Sequence, residues 1–362
     1  MPGNNSGMRP STDLLPVLSL AVLCAAFFLP LTPALALLCV GALVGSVMTA
    51  VHHAEVVAHR VGEPFGTLVL AVAITVIEVA LIISLMIAGG AAKAALPRDT
   101  IYAAVMIICN GVVGVCVLVG GLRHREQSFR IEGTGPGLAA LVALSTLSLV
   151  LPTFTTSSPE GTYTYAQLVF VGASSLSLWA VFVFVQTVRH RDYFLPVEGA
   201  DDEHEHAPPP GLQRTWASLG LLIASLIGVV GLAKVLSPLI ERMVAAADAP
   251  KVIVGILIAM LVLLPETWAA VRAARANRLQ TSMNLAIGSA LASIGLTIPA
   301  VVAVSVVLEL PLVLGLEAKD MVLLALTFLV GSITLASGRT NVMQGAVHLV
   351  LFAAFLFLAL VP

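Results

Sequence analysis

The stretch GEPFGTLVLAVAITVIEVAL, residues 62–81, decides the fold. It is mostly apolar and continues so for several more residues, and about 20 apolar residues suffice to cross the ~30 Å hydrocarbon core of a bilayer. Glu78 stands well inside this run. A charged side chain there costs on the order of 3 kcal/mol, so carboxyls within membrane helices are rare and mostly functional. The stretch therefore predicts a transmembrane helix with a carboxyl that binds a proton or a cation.

The other half of the chain repeats this pattern. The stretch PKVIVGILIAMLVLLPETWA, residues 250–269, places Glu266 at the depth of Glu78, and the next spans align Asn110 with Ser289. The two copies begin on opposite sides of the membrane, because five spans and a linker separate them. Inverted repeats with a binding site near the midplane are a recurring transporter architecture. The repeat therefore favours transport over catalysis.

Composition excludes the other broad classes. The chain has 362 residues, of which 59% are hydrophobic and 10% charged, with a mean hydropathy of +1.02, whereas a soluble domain is roughly a quarter charged. A water-soluble fold is excluded. The net charge of −2 and the lack of a dense basic cluster give nucleic-acid binding no electrostatic support.

Apolar runs predict an all-α, polytopic membrane protein with about eleven spans and an inverted five-helix repeat. The predicted spans are residues 14–31, 34–56, 65–89, 100–122, 136–153, 165–188, 215–237, 251–271, 282–308, 320–337 and 342–361. The predicted organisation is an N-terminal segment with the first span at 1–33, a first repeat at 34–188, an acidic linker at 189–214 and a second repeat at 215–362.

Basic residues give the predicted orientation. With the N-terminus inside, the inner segments hold twelve and the outer loops six of the 18 lysines and arginines, and every lysine is outside. This bias predicts a cytoplasmic N-terminus and an external C-terminus. The linker then lies in the cytoplasm. Its acidic and histidine residues are typical of a solvated connection, although they are also able to collect divalent cations weakly.

Glu78 and Glu266 are the predicted metal and proton ligands. No lysine or arginine lies near either glutamate within its span, so a structural ion pair is the weaker explanation. Burial favours the protonated carboxyl, and an arriving cation displaces that proton, so the two compete for one site. Pro265 lacks an N–H and frees the carbonyl of Leu261, which is predicted to open the helix and add a ligand.

Other polar side chains are placed to complete that site. They lie one turn before Glu78 or in the spans that follow each glutamate: Thr75, Asn110, Asn284 and Ser289. Serine, threonine and asparagine also hydrogen-bond neighbouring helices about as often as they serve ligands. Glu55 and His348 are candidates for proton access. The alternatives are an interfacial helix end for Glu55 and an interhelical hydrogen bond for His348.

Three blocks carry a resemblance to a known family. They are HAEVVAHRVGEPFGTLVLAVAITVIEVAL, PETWAAVRAARANRLQTSMNLAIGSALASIGLTIPA and SGRTNVMQGAVHL. Together they resemble bacterial ChaA-type calcium/proton antiporters, in the cation/proton exchanger branch of the calcium/cation antiporter superfamily. The resemblance implies one plus five plus five spans in a bacterial inner membrane. It also implies a shared cation and proton site at Glu78 and Glu266.

The chain departs from the wider family at one point. Better-known calcium exchangers place Gly-Asn-Ala ahead of each glutamate, whereas here Ala-Ile-Thr-Val-Ile and Leu-Val-Leu-Leu-Pro precede them. Fewer fixed oxygens weaken selectivity for Ca²⁺, so Na⁺ or K⁺ exchange is a serious co-activity.

The predicted function is thus Ca²⁺/H⁺ exchange, with monovalent cation/proton exchange or, less favoured, a cation channel as alternatives. No enzyme motif is found in the sequence and no cofactor is expected beyond the transported ions. The expected partners are small cations, protons and the lipid bilayer, with a homo-oligomer possible and no nucleic acid.

Overall fold

The computed structural model describes residues 10–62, 65–195, 210–248, 250 and 252–361. Within these ranges the chain is almost entirely helical. The α-helices are α1 Pro10–Phe28, α2 Pro33–Val61, α3 Phe65–Gly89, α4 Leu96–Met106, α5 Val113–His124, α6 Ile131–Ser145, α7 Tyr165–Phe184, α8 Leu212–Ala246, α9 Val252–Arg275, α10 Leu279–Val307, α11 Ala318–Ala336 and α12 Val342–Leu360.

In the described ranges, ten helical segments are long and apolar enough to cross a membrane, and a shorter apolar helix, Thr12–Phe28, precedes them. The predicted all-α membrane fold is confirmed. The predicted span at 100–122 is one segment, Leu96–His124, that consists of α4, a π-helical turn and α5. The predicted linker at 189–214 falls largely on residues 196–209, which lie outside the described residues.

Wider and tighter helical turns interrupt several spans. The π-helical turns are Ile107–Val112, Thr146–Val150 and Val185–Arg189, and the 3₁₀ turns are Gly90–Lys93, Leu151–Thr153 and Arg191–Phe194. A π turn has one extra residue and a weaker hydrogen-bond pattern, so neighbouring groups must stabilise it. Tyr163, for example, donates a 2.7 Å hydrogen bond to the carbonyl of Leu147. Burial raises the pKa of Tyr163 to about 12, so this donor stays protonated at physiological pH.

The chain divides into two compact units. The first comprises Met1–Leu81 and Pro208–Arg242, and the second Ile82–Ala207 and Met243–Pro362. Neither unit corresponds to one copy of the repeat predicted from the sequence, because each takes helices from both halves. The first unit contains α1, α2, most of α3 and most of α8.

Small residues allow close helix packing in the first unit. Thr49 of α2 and Ser225 of α8 share a hydrogen bond of 3.2 Å. A Cβ at Gly228 of α8 would meet the Ser46 hydroxyl at 3.0 Å. Lipid offers no hydrophobic drive for helices to associate, so close backbone packing and interhelical hydrogen bonds stabilise such contacts.

In the second unit, α10 is the central helix and packs on α6, α7 and α9, while α12 packs on α5. A two-residue antiparallel ladder pairs Gln127 with Thr340 and so joins the loop after α5 to the loop after α11. The Gln127 side chain also donates to the carbonyl of Ala274 at 2.9 Å. The contact with Ala274 holds the C-terminal end of α9, one of the two helices that position the candidate site.

Candidate functional site

Glu266 lies on α9, which continues through Pro265 without a break. The predicted opening of the helix at this proline is therefore not seen, because the rest of the helix tolerates one missing N–H donor. Leu261, whose carbonyl Pro265 leaves without its usual partner, is half-buried on the same helix. Its role as a ligand stays a prediction.

Ser289 on α10 donates a hydrogen bond of 3.0 Å to Oε1 of Glu266. The two residues border a cavity of about 10 Å³, near the smallest volume that holds one water molecule. The residues that line it come from the π turn, α9 and α10: Ile108, Val112, Leu263, Glu266, Thr267, Ala286 and Ser289. The structure therefore brings the predicted site residues Ser289 and Glu266 together beside a small cavity, and their role as cation ligands stays a prediction.

Thr267 is a lining residue that sequence reasoning missed. Its hydroxyl donates to the carbonyl of Leu263, another lining residue of α9, at 2.7 Å. The signal in the sequence was its position directly after Glu266. No comparable threonine follows Glu78, where Val79 stands instead, so the repeat did not reveal it.

Glu78 and Thr75 lie on α3, in the first unit. Both are buried, each with 4% of its surface exposed. Residues three apart on a helix share a face, so the structure places the Thr75 hydroxyl and the Glu78 carboxyl together on one buried face of α3. That Glu78 acts jointly with Glu266 rests on the alignment of the two copies and stays a prediction.

Asn110 belongs to the π turn Ile107–Val112 and is fully buried. Its Nδ2 donates to the Thr327 hydroxyl of α11 at 2.9 Å, and its Oδ1 lies 3.2 Å from Nδ1 of His348 on α12. The Nε2 of His348 in turn lies 3.0 Å from the Thr334 hydroxyl. The structure thus brings two predicted site residues together, Asn110 and His348, but in a cluster with α11 and α12 and away from the lining of the Glu266 cavity.

Asn284 bonds to residues outside the lining of the Glu266 cavity. Its Nδ2 donates to the carbonyl of Phe194 at 2.6 Å, and its Oδ1 accepts from Nε2 of Gln280 at 2.8 Å. Gln280 also accepts from the backbone N–H of Arg130 at 2.6 Å. Asn284 therefore anchors the described beginning of the predicted linker, at Phe194, more than a turn of α10 away from Ser289.

Glu55 is exposed on α2, in the first unit. The buried titratable group in its vicinity is His53, of which 1% is exposed. The stretch VHHAEVVAHR announced a polar helix end. Packing against neighbouring helices decides that His53 faces inward and Glu55 outward. The sequence pattern did not distinguish the two.

Comparison with known proteins gives a family match and two relatives that are similar over most of their length. The family described as sodium/calcium exchanger protein matches residues 31–188 and 217–361. A putative ionic transporter, y4hA of Sinorhizobium fredii, is 49% identical over 91% of this chain and 89% of its own length. The sodium-potassium/proton antiporter ChaA of Escherichia coli is 35% identical over 96% of this chain and 95% of its own.

Two solved structures share the fold. The H⁺/Ca²⁺ exchanger CAX superposes with a TM-score of 0.71 at 14% identity, over 96% of this chain and 87% of that one. Native YfkE superposes with a TM-score of 0.70 at 16% identity, over 97% of this chain and the whole of the other. At such low identity, these likenesses establish the architecture alone.

Proposed function

The chain belongs to the family of sodium/calcium exchanger proteins, and from that premise we propose that it exchanges a metal cation for protons by competition at its intramembrane glutamates. It is an integral membrane transporter of cations. Ca²⁺ is the proposed divalent substrate, with Na⁺ and K⁺ as competing monovalent substrates.

One observation supports the site assignment above the others, the cavity between Glu266 and Ser289. A hydroxyl that donates to a carboxylate favours its charged form, whereas burial favours the protonated form. At Glu266 the proton and the cation would compete for the same carboxyl. A cation that enters displaces the proton, and a proton from the other side displaces the cation.

The number of oxygens bears on which cation is favoured. Three residues at the cavity, Glu266, Ser289 and Thr267, carry four side-chain oxygens between them, and Glu78 adds two more if it joins the site. Ca²⁺ takes about 6–8 oxygen ligands. A bound Ca²⁺ would therefore use every one of these groups together with water or backbone carbonyls.

Monovalent exchange is the second candidate. The five residues directly before each glutamate include no asparagine. A site with fewer fixed oxygens discriminates less well in favour of a divalent ion. The E. coli relative is named a sodium-potassium/proton antiporter. A protein that accepts both divalent and monovalent cations would show mutual competition among Ca²⁺, Na⁺ and K⁺.

The test is proton flux in proteoliposomes that contain the purified protein and a trapped pH-sensitive dye. Addition of Ca²⁺, Na⁺ or K⁺ outside should release protons from the lumen, and each ion should compete with the others. Glu266→Gln should abolish the signal, whereas Glu309→Gln, in the exposed loop after α10, should leave it intact. Cation flux without proton movement would refute cation/proton exchange and favour the alternative of a cation channel.

We further propose a bacterial inner-membrane location with the N-terminus in the cytoplasm. The support is the distribution of lysine and arginine predicted for the loops. One variant has a single cysteine in the loop before α4, and another has it in the loop between α5 and α6. A membrane-impermeant reagent added to intact cells should label the first, which lies outside, and not the second, which lies in the cytoplasm. Any homo-oligomer is a separate proposal, to be tested by the mass of the detergent-solubilised protein.

A further inference from the structure

The buried cluster of Asn110, Thr327, Thr334 and His348 is not used by the proposed exchange chemistry. Each of these residues has at most 3% of its surface exposed. Their hydrogen bonds connect the π turn to α11 and α12, all within the second unit. A fully buried polar group that is hydrogen-bonded has little freedom to rotate, since any other orientation leaves it unsatisfied.

The directions of the hydrogen bonds follow from the partners. Thr327 donates to the carbonyl of Leu323 at 2.7 Å and so accepts from Nδ2 of Asn110. The Oδ1 of Asn110 therefore faces His348, whose Nδ1 must carry the proton and donate. The Nε2 of a neutral His348 then accepts from the hydroxyl of Thr334. Every polar atom of the imidazole is satisfied with the ring neutral.

The π turn lies between this cluster and the cation cavity. Asn110 points to α11 and α12, while Ile108 and Val112 of the same turn line the cavity with Glu266. On the side of the cluster the packing is close, because a Cβ at Gly111 would meet the ring of Phe352 at 3.4 Å and a Cβ at Gly114 would meet Leu349 at 3.0 Å. Rotation of the turn would shift both the Asn110 amide and the cavity wall.

We propose that His348 is a positioning residue for cation binding: through Asn110 it holds the π turn so that Ile108 and Val112 close the Glu266 cavity around one small ion. This inference rests on the proposed function, because it assigns His348 a part in affinity at Glu266. It differs from a proton-carrying role, in which His348 itself would have to gain and lose a charge in each cycle.

Two substitutions at one position separate the roles. His348→Leu removes both hydrogen bonds and leaves Asn110 Oδ1 without its donor. His348→Gln supplies an N–H to Asn110 and a carbonyl to Thr334 but cannot titrate near neutral pH. The matched control is Thr134→Val on α6, where a buried hydroxyl bonds only to its own helix. The readouts in proteoliposomes are KM for Ca²⁺, maximal rate and protons released per cation.

A positioning role predicts that His348→Leu raises KM about tenfold, the effect of losing a buried hydrogen bond that shapes the site, with an unchanged proton-to-cation ratio. His348→Gln should stay within about twofold of the wild type, as should Thr134→Val. Equal impairment of the Gln and Leu variants, or a changed proton ratio in His348→Gln, would overturn the proposal in favour of a proton carrier. A normal KM in His348→Leu would also overturn it.

Thr334→Val covers the case in which His348→Leu does not fold, since it removes only one of the two bonds. A KM raised about threefold would support positioning, and an unchanged KM would overturn it. Failure of the proposed function has a different signature, because wild-type protein would then show no cation-driven proton release at all.

Discussion

The hydroxyl of Ser289 donates a 3.0 Å hydrogen bond to the carboxyl of Glu266 and so connects α10 to α9 at the wall of a small cavity. Ser289 is the residue that the sequence repeat aligns with Asn110. The two aligned residues have different partners, since Asn110 contacts His348 and Thr327. The two aligned positions therefore differ in their polar contacts, and of the two only Ser289 bonds to a predicted cation ligand.

Replacing Ser289 by alanine should weaken cation binding. A hydrogen bond to a charged group contributes about 1.5–3 kcal/mol, and 1.4 kcal/mol corresponds to a factor of ten, so KM for Ca²⁺ should rise about tenfold to a hundredfold. Ser332→Ala is the control, because that hydroxyl bonds only to its own helix at Phe328.

Replacing either Glu78 or Glu266 by glutamine should abolish exchange while the protein still inserts. A neutral amide cannot release a proton or balance the charge of a cation. The measurement is cation-driven proton release, with size-exclusion chromatography to check folding. Wild-type rates in a well-folded Glu78→Gln variant would limit the site to Glu266 and refute the predicted pair.

Asn284→Ala should affect stability rather than affinity. Asn284 bonds to Phe194 and Gln280, and loss of one buried partner costs about 1–3 kcal/mol. A lower melting temperature with an unchanged KM for Ca²⁺ is the expected result, in contrast to Ser289→Ala. A KM that rises as much as in Ser289→Ala would restore the earlier interpretation of Asn284 as a cation ligand.

The helices could be predicted from sequence because a bilayer imposes one length and one polarity on every span. For that reason the run around Glu78 and its repeat around Glu266 gave the correct fold class. The same alignment singled out Ser289 as a candidate site residue, without naming Glu266 as its partner. The π turn at Asn110 did not, since π and α turns have the same apolar composition and differ only in backbone hydrogen bonding.

The roles of individual polar residues were harder to predict, because helix rotation decides them. Asn284 and Ser289 are five residues apart on α10, which turns their side chains in different directions, and only one of them meets Glu266. His348 was correctly recognised as a candidate for an interhelical hydrogen bond. Its partner Thr334 lies on another helix, and no sequence period connects the two.

Apparent cation affinity should rise with pH. At low pH the carboxyls are protonated, and each cation must displace a proton. As pH rises through the range in which the carboxyls ionise, the competition falls and the affinity increases, until it levels off once they are charged. Equilibrium Ca²⁺ binding to the purified protein at pH 6 to 9 measures this directly. Constant affinity across that range would contradict a shared site.

The charge of the empty site predicts the stoichiometry. If Glu78 and Glu266 together hold the ions, the deprotonated site carries about two negative charges, and moving an unbalanced pair through low dielectric is costly. Reorientation should therefore occur with two protons or with one divalent cation. Exchange of two H⁺ for one Ca²⁺ moves no net charge, and His348 adds none if it keeps the neutral, hydrogen-bonded state proposed above.

Ca²⁺-driven proton flux should then be insensitive to membrane potential. The measurement uses proteoliposomes clamped with potassium and valinomycin, under conditions in which K⁺ alone releases no protons. A third proton per cycle, carried by Glu55 or His348, would make exchange electrogenic by about 2.3 kcal/mol per charge per 100 mV, a rate change of well over tenfold at that voltage if the charge-moving step limits turnover. A clear voltage dependence that disappears in His348→Gln would contradict both the two-carboxylate cycle and the positioning role of His348. One that persists in that variant would leave Glu55 as the next residue to replace.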